Sequence, residues 1–209
     1  MNKLPLIFVG IFLTFTSAWI GLVAYPTLNL ANVEPIPDEE TGGVLPPTTS
    51  GMAIAGQKVY ASAGCMYCHS QQVRWAPLST DIAKGLGTRQ TVARDYIREK
   101  VAFLGTMRTG PDLSNIGVRQ TDANWHHLHL FEPRTVTEWS IMPSYRYLYK
   151  TQKISGQPSN DAIQGLRGPH APKPGYEVVP SVDAKALVAY MLSLKKNYKL
   201  PESPEPTAK

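Results

Sequence analysis

The sequence predicts a mainly α-helical protein, with one membrane-spanning helix at its N-terminus followed by a small helical domain with long irregular loops. An uncharged apolar run occupies residues 4–25, and apolar side chains recur at three- and four-residue spacings near the C-terminus. The 16 glycines and 18 prolines among 209 residues favour short helices and irregular backbone over a sheet-rich fold.

The apolar run, Leu4–Tyr25, is long enough to cross a bilayer. As a helix it would measure roughly 33 Å, against about 30 Å for the hydrocarbon core of a membrane. A buried core helix of this length without a polar face does not suit so small a domain, and a cleaved signal peptide usually has an apolar stretch of only about 7–15 residues. Trp19 and Tyr25 lie in its second half, as interfacial anchors do. We therefore predict an uncleaved transmembrane anchor over residues 1–30.

Charges around the anchor predict its orientation. Lys3 and the α-amino group precede the apolar run, and the first charges after it are acidic. The positive-inside rule then places the N-terminus in the cytoplasm and the rest of the chain in the periplasm. Beyond the anchor, residues 31–50 predict a linker rich in proline and acids, residues 51–199 a folded domain, and residues 200–209 a Pro-rich disordered tail.

The formal charge is basic and unevenly distributed. The whole chain carries +5 and residues 1–50 carry −3, which leaves +8 on the rest. The lysines and arginines form no dense block, so we predict no nucleic-acid partner. A basic domain instead favours approach to acidic partner surfaces.

The two cysteines of the chain lie in the sequence CMYCH at residues 65–69. At this spacing, Cys65 and Cys68 can each add to one vinyl group of a single porphyrin, and His69 then lies below the iron as an axial ligand. A zinc site would need a second pair of ligands, and a thioredoxin-like redox pair would need a βαβ context. The pattern therefore predicts one covalently attached haem c.

Two predicted helices frame this motif. Ser50 is a candidate N-cap for a helix that leads into it, and Gly56 on that helix would allow another helix to approach closely. The partner is predicted near the C-terminus, with Ser181 as N-cap, Asp183 in the first turn and Lys195–Lys196 in the last. The apolar face of this second helix comprises Ala186, Leu187, Tyr190, Met191 and Leu194. Crossed terminal helices are the framework of a class I cytochrome c domain.

The sixth iron ligand is expected from a distant loop. Met142 is the main candidate because Pro143 stiffens the backbone beside it, while Met107 is the rival. The Gly-Pro turn before Asp112 places the carbonyl of Pro111 where it could accept the Nδ1–H of His69.

Several polar side chains are further candidates. Arg74 and Arg108 could pair with haem propionates, against the alternative that each is merely solvated. Asp122 predicts the N-cap of a short helix that carries three clustered histidines. Because no nearby cysteine or acid pair completes a metal site, we expect packing or hydrogen bonding for His126, His127 and His129.

Four segments together resemble one known family. They are GCMYCHSQQVR at 64–74, GTMRTGPDL at 105–113, WHHLHLFEPR at 125–134 and SIMPSY at 140–145. The chain resembles subunit II of the cbb-three type, or C-family, haem–copper cytochrome c oxidases, the membrane-anchored mono-haem cytochrome subunit. This resemblance implies a subunit of the bacterial inner membrane that relays electrons and has no active site of its own.

The resemblance also implies partners and ligands. It assigns haem attachment to Cys65 and Cys68, iron ligation to His69 and Met142, and support of His69 to Pro111. The implied partners are a catalytic subunit with haem b and a haem–copper centre, a dihaem cytochrome subunit, and donor cytochromes c. In the family a calcium ion lies near the subunit interface, with a serine ligand in the turn before TGPDL. Thr106 stands at that place here and is the candidate calcium ligand.

Two other functions remain open from the sequence. The chain could be the small cytochrome subunit of a nitric oxide reductase, although the CHSQ and WHHLHL segments and the length speak against it. It could also be a free-standing, membrane-tethered cytochrome c carrier. We do not align the segment from Lys150 to Pro180, rich in glycine and proline, with known members of the family, and we expect either a surface elaboration or a contact to another subunit there.

Overall fold

The computed structural model describes residues 3–49, 51–105 and 107–205. These residues fall into two compact units. One runs to Pro46 and includes Val92–Lys100, and the other comprises Pro47–Thr91 and the chain from Val101 onwards. Ser50, the candidate N-cap, and Thr106, the candidate calcium ligand, lie outside the described residues.

The first unit contains the predicted anchor helix. α1 (Leu4–Trp19) continues through a π-helical turn (Ile20–Ala24) into α2 (Tyr25–Leu30), a run of 27 helical residues in which no side chain is buried. Pro26 follows the π turn, and the wider turn lies where the proline ring would otherwise meet the carbonyl four residues earlier. At about 1.5 Å per residue the run measures roughly 40 Å. Among the described residues it is the helix long and apolar enough to cross a membrane, as predicted.

The predicted linker contains a small ribbon in this structure. β1 (Ile36–Pro37) pairs antiparallel with β2 (Val44–Leu45), and the Leu45 side chain is buried. The carboxylate of Asp38 accepts the N–H of Glu40 at 3.1 Å within the connecting turn. The segment is therefore ordered despite its prolines and acids, because these residues supply the turn and its hydrogen-bond acceptors. The domain boundaries themselves stay a prediction.

The second unit is built on two crossed helices, as predicted. α3 (Gly51–Ser62) crosses α6, which spans Val182–Ser193. A Cβ atom added at Gly56 would lie 2.5 Å from the carbonyl carbon of Ala186, so only glycine permits this approach. The ring of Tyr60 packs 5.4 Å from that of Tyr190, centroid to centroid. The predicted apolar face of α6 is buried along its length: Ala186, Leu187, Tyr190, Met191 and Leu194.

The ends of α6 match the prediction at one end only. The hydroxyl of Ser181 accepts the N–H of Ala184 at 3.2 Å, so Ser181 is the N-cap. The helix ends at Ser193, however, and the prediction that Lys195–Lys196 form its last turn is wrong. The backbone there turns to another partner, because the N–H of Lys196 donates to the Asn115 side chain at 2.7 Å. The long-range bond replaces continued helix.

Shorter helical elements connect these two. α4 (Ile116–Arg119) precedes α5 (Ala123–Phe131), and the Asp122 carboxylate accepts the N–H of Asn124 at 2.9 Å as the predicted N-cap. The 3-10 turns of this unit are Cys65–Tyr67, Ala76–Leu78, Pro133–Thr135, Arg146–Leu148 and Gly168–His170. A further 3-10 turn, Ala93–Tyr96, belongs to the first unit.

The segment from Lys150 to Pro180 lies in a β-hairpin excursion. β3 (Tyr149–Lys153) pairs antiparallel with β4 (Tyr176–Pro180), in a register from Tyr149 opposite Pro180 to Lys153 opposite Tyr176. A second small core lies beneath it and comprises Phe131, Ile163 and Val178. The sequence did not predict these strands.

The predicted disordered tail is in part ordered. Leu200 and Ser203 are both buried, and the hydroxyl of Ser203 donates to the carbonyl oxygen of Gln90 at 2.7 Å. The prediction of disorder is therefore wrong for residues 200–203, because one apolar and one hydroxyl side chain attach them to the domain. Residues 206–209 lie outside the described part of the chain.

Candidate haem site

The CMYCH motif forms a tight turn directly after α3. Gly64 adopts a left-handed conformation (φ 75°) that ends the helix, and Cys65–Tyr67 then form one 3-10 turn. The N–H of His69 donates to the carbonyl oxygen of Cys65 at 3.0 Å, which brings motif residues four apart onto one turn. Cys65 is buried, Cys68 is exposed, and neither forms a disulfide. Burial raises the pKa of the Cys65 thiol to about 11, so this thiol is neutral at pH 7.

The imidazole of His69 is held by a carbonyl. Its Nδ1 lies 2.7 Å from the oxygen of Pro111, the contact that the Gly-Pro turn predicted. Because a carbonyl oxygen only accepts, Nδ1 carries the proton and Nε2 keeps its lone pair. Burial lowers the pKa of His69, although the Pro111 contact opposes the shift. The ring is therefore neutral with a bare Nε2, the state in which imidazole binds a metal.

Two glycines let the Pro111 loop close on the motif. A Cβ at Gly110 would lie 2.7 Å from Nε2 and 2.8 Å from Nδ1 of His69, and closer still to the carbon between them. A Cβ at Gly105 would lie 2.6 Å from the carbonyl oxygen of His69. The N–H of Gly110 also donates to the oxygen of Cys68 at 2.9 Å. The close contact therefore requires residues without side chains at these two positions.

Arg108 ties the segment after the motif to the same loop. Its Nε donates to the Ser70 hydroxyl at 2.7 Å, and its guanidinium pairs with Asp81. One Nη also donates to the carbonyl oxygen of Gln72. All of these partners belong to the protein itself. The sequence did not predict that Arg108 would bind them. The propionate contact proposed for Arg108 stays a prediction.

Asp112 forms the buried centre of this network. Its carboxylate accepts the Ser70 hydroxyl at 2.6 Å and the N–H of Gln72 at 2.8 Å, and it lies 3.6 Å from Arg108. A fully buried carboxylate needs such donors, because an unpaired one would carry a large desolvation cost. Arg74, by contrast, is exposed and attaches to Asp81 through its backbone N–H at 2.8 Å. The propionate contact proposed for Arg74 also stays a prediction.

The two candidate methionines have different surroundings. Met142 is half-buried and packs, together with Tyr145, against the main core that contains Cys65. Met107 is 60% exposed. The thiol of Cys65 also interacts with the Tyr145 side chain, three residues after Met142. The structure thus brings the Met142 segment, and not the Met107 side chain, into the core beside the motif.

The family described as cytochrome c oxidase, mono-heme subunit/FixO matches residues 3–168, well over half of the chain. The chain belongs to this family. The protein is therefore a mono-haem subunit of a cbb-three type cytochrome c oxidase, the subunit II that its sequence resembles. No curated protein matches the chain.

The residues at the motif fit the one haem of a mono-haem subunit. Two thiols lie on one short turn. The neighbouring imidazole is held in place by the Pro111 carbonyl and has an unprotonated Nε2. Thiols, imidazole and thioether are the side chains that hold haem iron and its porphyrin in proteins. The calcium ligation suggested for Thr106 falls on a residue outside the described part of the chain.

The three histidines of α5 each have their own neighbour in this subunit. His126 Nε2 donates to the carbonyl oxygen of Gln120 at 3.0 Å, and His127 Nδ1 lies 3.2 Å from the hydroxyl of Tyr149. His129 stacks on Trp125 with ring centroids 4.9 Å apart. Burial lowers the pKa of His127 and His129 to about 4, so both rings are neutral at pH 7. The described residues contain no cluster of three His, Cys, Asp or Glu side chains that could hold a metal ion.

Proposed function

We propose that this subunit relays electrons through one c-type haem, held by thioether bonds from Cys65 and Cys68 and ligated by His69 and Met142. It would accept electrons from donor cytochromes c and pass them to the catalytic haem b–copper subunit, which reduces oxygen to water. The observation that carries the proposal is the neutral His69 ring, oriented by Pro111, beside two thiols on one turn. A thioether opposite imidazole favours reduced iron and raises the reduction potential.

The chain's own residues orient the His69 ring and leave the iron without a free position for a substrate. Pro111 and Gly110 hold the His69 ring in one orientation. Arg108 joins the loop before Pro111 to Ser70, which directly follows His69. His69 and Met142 would hold the haem iron, and the iron would then offer no free position to a substrate. The subunit therefore has no active site of its own and acts as an electron relay.

We also infer the topology of the subunit in its complex. The anchor helix crosses the inner membrane once, with Lys3 on the cytoplasmic side and the haem domain in the periplasm. The catalytic subunit and a dihaem cytochrome subunit are the expected partners within the oxidase. The whole chain carries a net charge of +5 and residues 1–50 carry −3, so the residues after position 50 carry +8. This positive charge favours approach of an acidic donor surface.

Purification from membranes tests the electron-relay assignment. We expect the subunit to copurify with a large polytopic chain, haem b and copper, and to keep its haem on a denaturing gel. Loss of the haem on the gel, or no added porphyrin mass on the mature chain, would contradict covalent attachment. Purification as a single subunit would instead support a free-standing carrier.

Substitution of the methionines tests the axial ligand. We expect Met142→Ala to change the spin state of the iron and to abolish the weak red charge-transfer band of a thioether-ligated ferric haem. Met107→Ala serves as the control, because this side chain is exposed. A band that survives in Met142→Ala but not in Met107→Ala would transfer the assignment to Met107.

A further inference from the structure

A single buried carboxylate closes the segment that carries Met142. We call residues 132–146 the ligand loop, because Met142 lies near its end. The loop begins at Glu132, whose residue is only 5% exposed. It leaves α5 through the 3-10 turn Pro133–Thr135 and returns through the turn Arg146–Leu148.

The two carboxylate oxygens of Glu132 bind opposite ends of the ligand loop. Oε1 accepts the backbone N–H of Arg134 at 3.4 Å and its guanidinium at 3.2 Å. Oε2 accepts the Ser144 hydroxyl at 3.0 Å and pairs with the Arg146 guanidinium. His170, from the hairpin excursion, has its Nε2 3.7 Å from Oε2. One side chain therefore joins the start of the loop to a residue two positions after Met142.

A backbone hydrogen bond lies beside this carboxylate. The N–H of Tyr145 donates to the carbonyl oxygen of Leu130 at 2.8 Å, so main chain and side chain close the loop at the same level. Within the loop, the N–H of Met142 donates to the hydroxyl oxygen of Ser140 at 3.3 Å. Met142 is thus positioned from the base of its loop, where Glu132 lies.

We propose that Glu132 is the positioning residue for Met142, because its carboxylate clamps both ends of the ligand loop and so holds the thioether at the iron. This inference rests on the proposed function, in which Met142 is the sixth ligand. The charge is necessary as well as the shape, since the donors are two guanidiniums and a hydroxyl, and hydrogen bonds to a charged acceptor are about twice as strong as neutral ones. Burial alone would raise the pKa of Glu132, yet Arg146, Arg134 and Ser144 together lower it to about 2.

The test compares two buried glutamates in haem-loaded, full-length protein. Glu132→Gln keeps the size of the side chain and removes its charge. Glu177→Gln is the matched control, because Glu177 is also buried and accepts two hydrogen bonds, from Gln152 at 2.8 Å and from the N–H of Ser159 at 2.7 Å, but it lies in the hairpin excursion. The readouts are the thioether charge-transfer band of the ferric protein and the rate at which added imidazole replaces the Met142 sulfur.

We expect Glu132→Gln to accelerate imidazole replacement about tenfold, as for loss of roughly one charge-assisted hydrogen bond, and to weaken the band. Glu177→Gln should keep the rate of the unmodified protein. Equal rates in the two variants would overturn the proposal, because a general loss of stability would then explain the effect. Unchanged replacement in Glu132→Gln would overturn it as well.

A second variant covers the case in which Glu132→Gln does not fold. Ser144→Ala removes one 3.0 Å hydrogen bond at the far end of the loop and leaves the carboxylate with its guanidinium partners. It should accelerate replacement severalfold, and an unchanged rate would count against the clamp. Failure of the underlying assignment has a different signature, since the band would then survive in Met142→Ala whatever Glu132 does.

Discussion

The crossing of α3 and α6 should depend on the missing side chain of Gly56. In Gly56→Ala the new Cβ would lie 2.5 Å from the carbonyl carbon of Ala186 and 2.8 Å from Cβ of Tyr190. The first of these neighbours is backbone, which cannot rotate away as a flexible side chain can. The two helices have to move apart for the variant to fold.

The size of the effect follows from the displacement. Ordinary contact begins at 3.4 Å, and the carbonyl oxygen of Ala186 lies closer to the added Cβ than its carbonyl carbon does. The backbone of α6 therefore has to retreat by at least about 0.9 Å at this point. Overpacking of this kind costs about 1–3 kcal/mol, and a rigid backbone neighbour places Gly56→Ala at the upper end. The higher helix propensity of alanine returns up to about 1 kcal/mol. We therefore expect a net loss of about 2 kcal/mol in the free energy of unfolding.

Denaturant unfolding of the full-length protein in detergent, followed by far-UV circular dichroism, measures this loss. Gly51→Ala is the matched control on the same helix, because nothing lies within 4 Å of its added Cβ. That variant should change the free energy of unfolding by less than about 0.5 kcal/mol. If Gly56→Ala is as stable as Gly51→Ala, the two helices do not approach as described, and the reasoning from this crossing fails.

Three further perturbations have definite expected results. Gly110→Ala should displace the His69 ring and reduce the fraction of haem-loaded protein, measured against Gly51→Ala by absorbance per chain. Ser181→Ala should cost about 1 kcal/mol in the free energy of unfolding, because it removes the N-cap bond to Ala184, and an unaltered value would contradict the cap. Glu132 has a folded-state pKa of about 2, below its ordinary value of 4.5. Its contribution to stability is complete above pH 4.5 and is lost as the pH falls towards 2, so acid should destabilise Glu132→Gln less than the unmodified protein. Parallel stability–pH curves for the two proteins would contradict this assignment.

Local sequence signals predicted the parts of the fold that depend on neighbouring residues. The apolar run, the caps at Asp122 and Ser181, and the close approach at Gly56 all appear where they were expected. Each of these predictions rests on spacings or residue types within a few positions along one helix. The wrong prediction at Lys195–Lys196 has the opposite cause, since Asn115, distant in sequence, captures the backbone there.

The hairpin excursion shows why strands were missed. β3 has the sequence YKTQK, with few apolar side chains, and 22 residues separate it from its partner β4. A short polar strand has no strong pattern of its own, and its pairing is decided by packing against the rest of the sheet. The disorder predicted for Leu200 and Ser203 was wrong for a similar reason, because a Pro-rich composition does not show that two side chains are buried.

The candidate site divides in the same way. The spacing of CMYCH predicted haem attachment, and the Gly-Pro turn predicted the contact between Pro111 and His69 that the structure contains. The ion network of Arg108 and the clamp at Glu132 were not predictable, because ion pairs form between charges that only folding brings together.

By itself, then, the sequence determined that two cysteines and a histidine lie on one short turn and which segment can enter a membrane, because both depend on short-range spacing and composition. Only the tertiary structure decided which buried carboxylates lie beside those groups and how the Met142 segment is held. The physical reason is that a buried charge depends for its stability on the donors that surround it, and those donors come from distant parts of the chain.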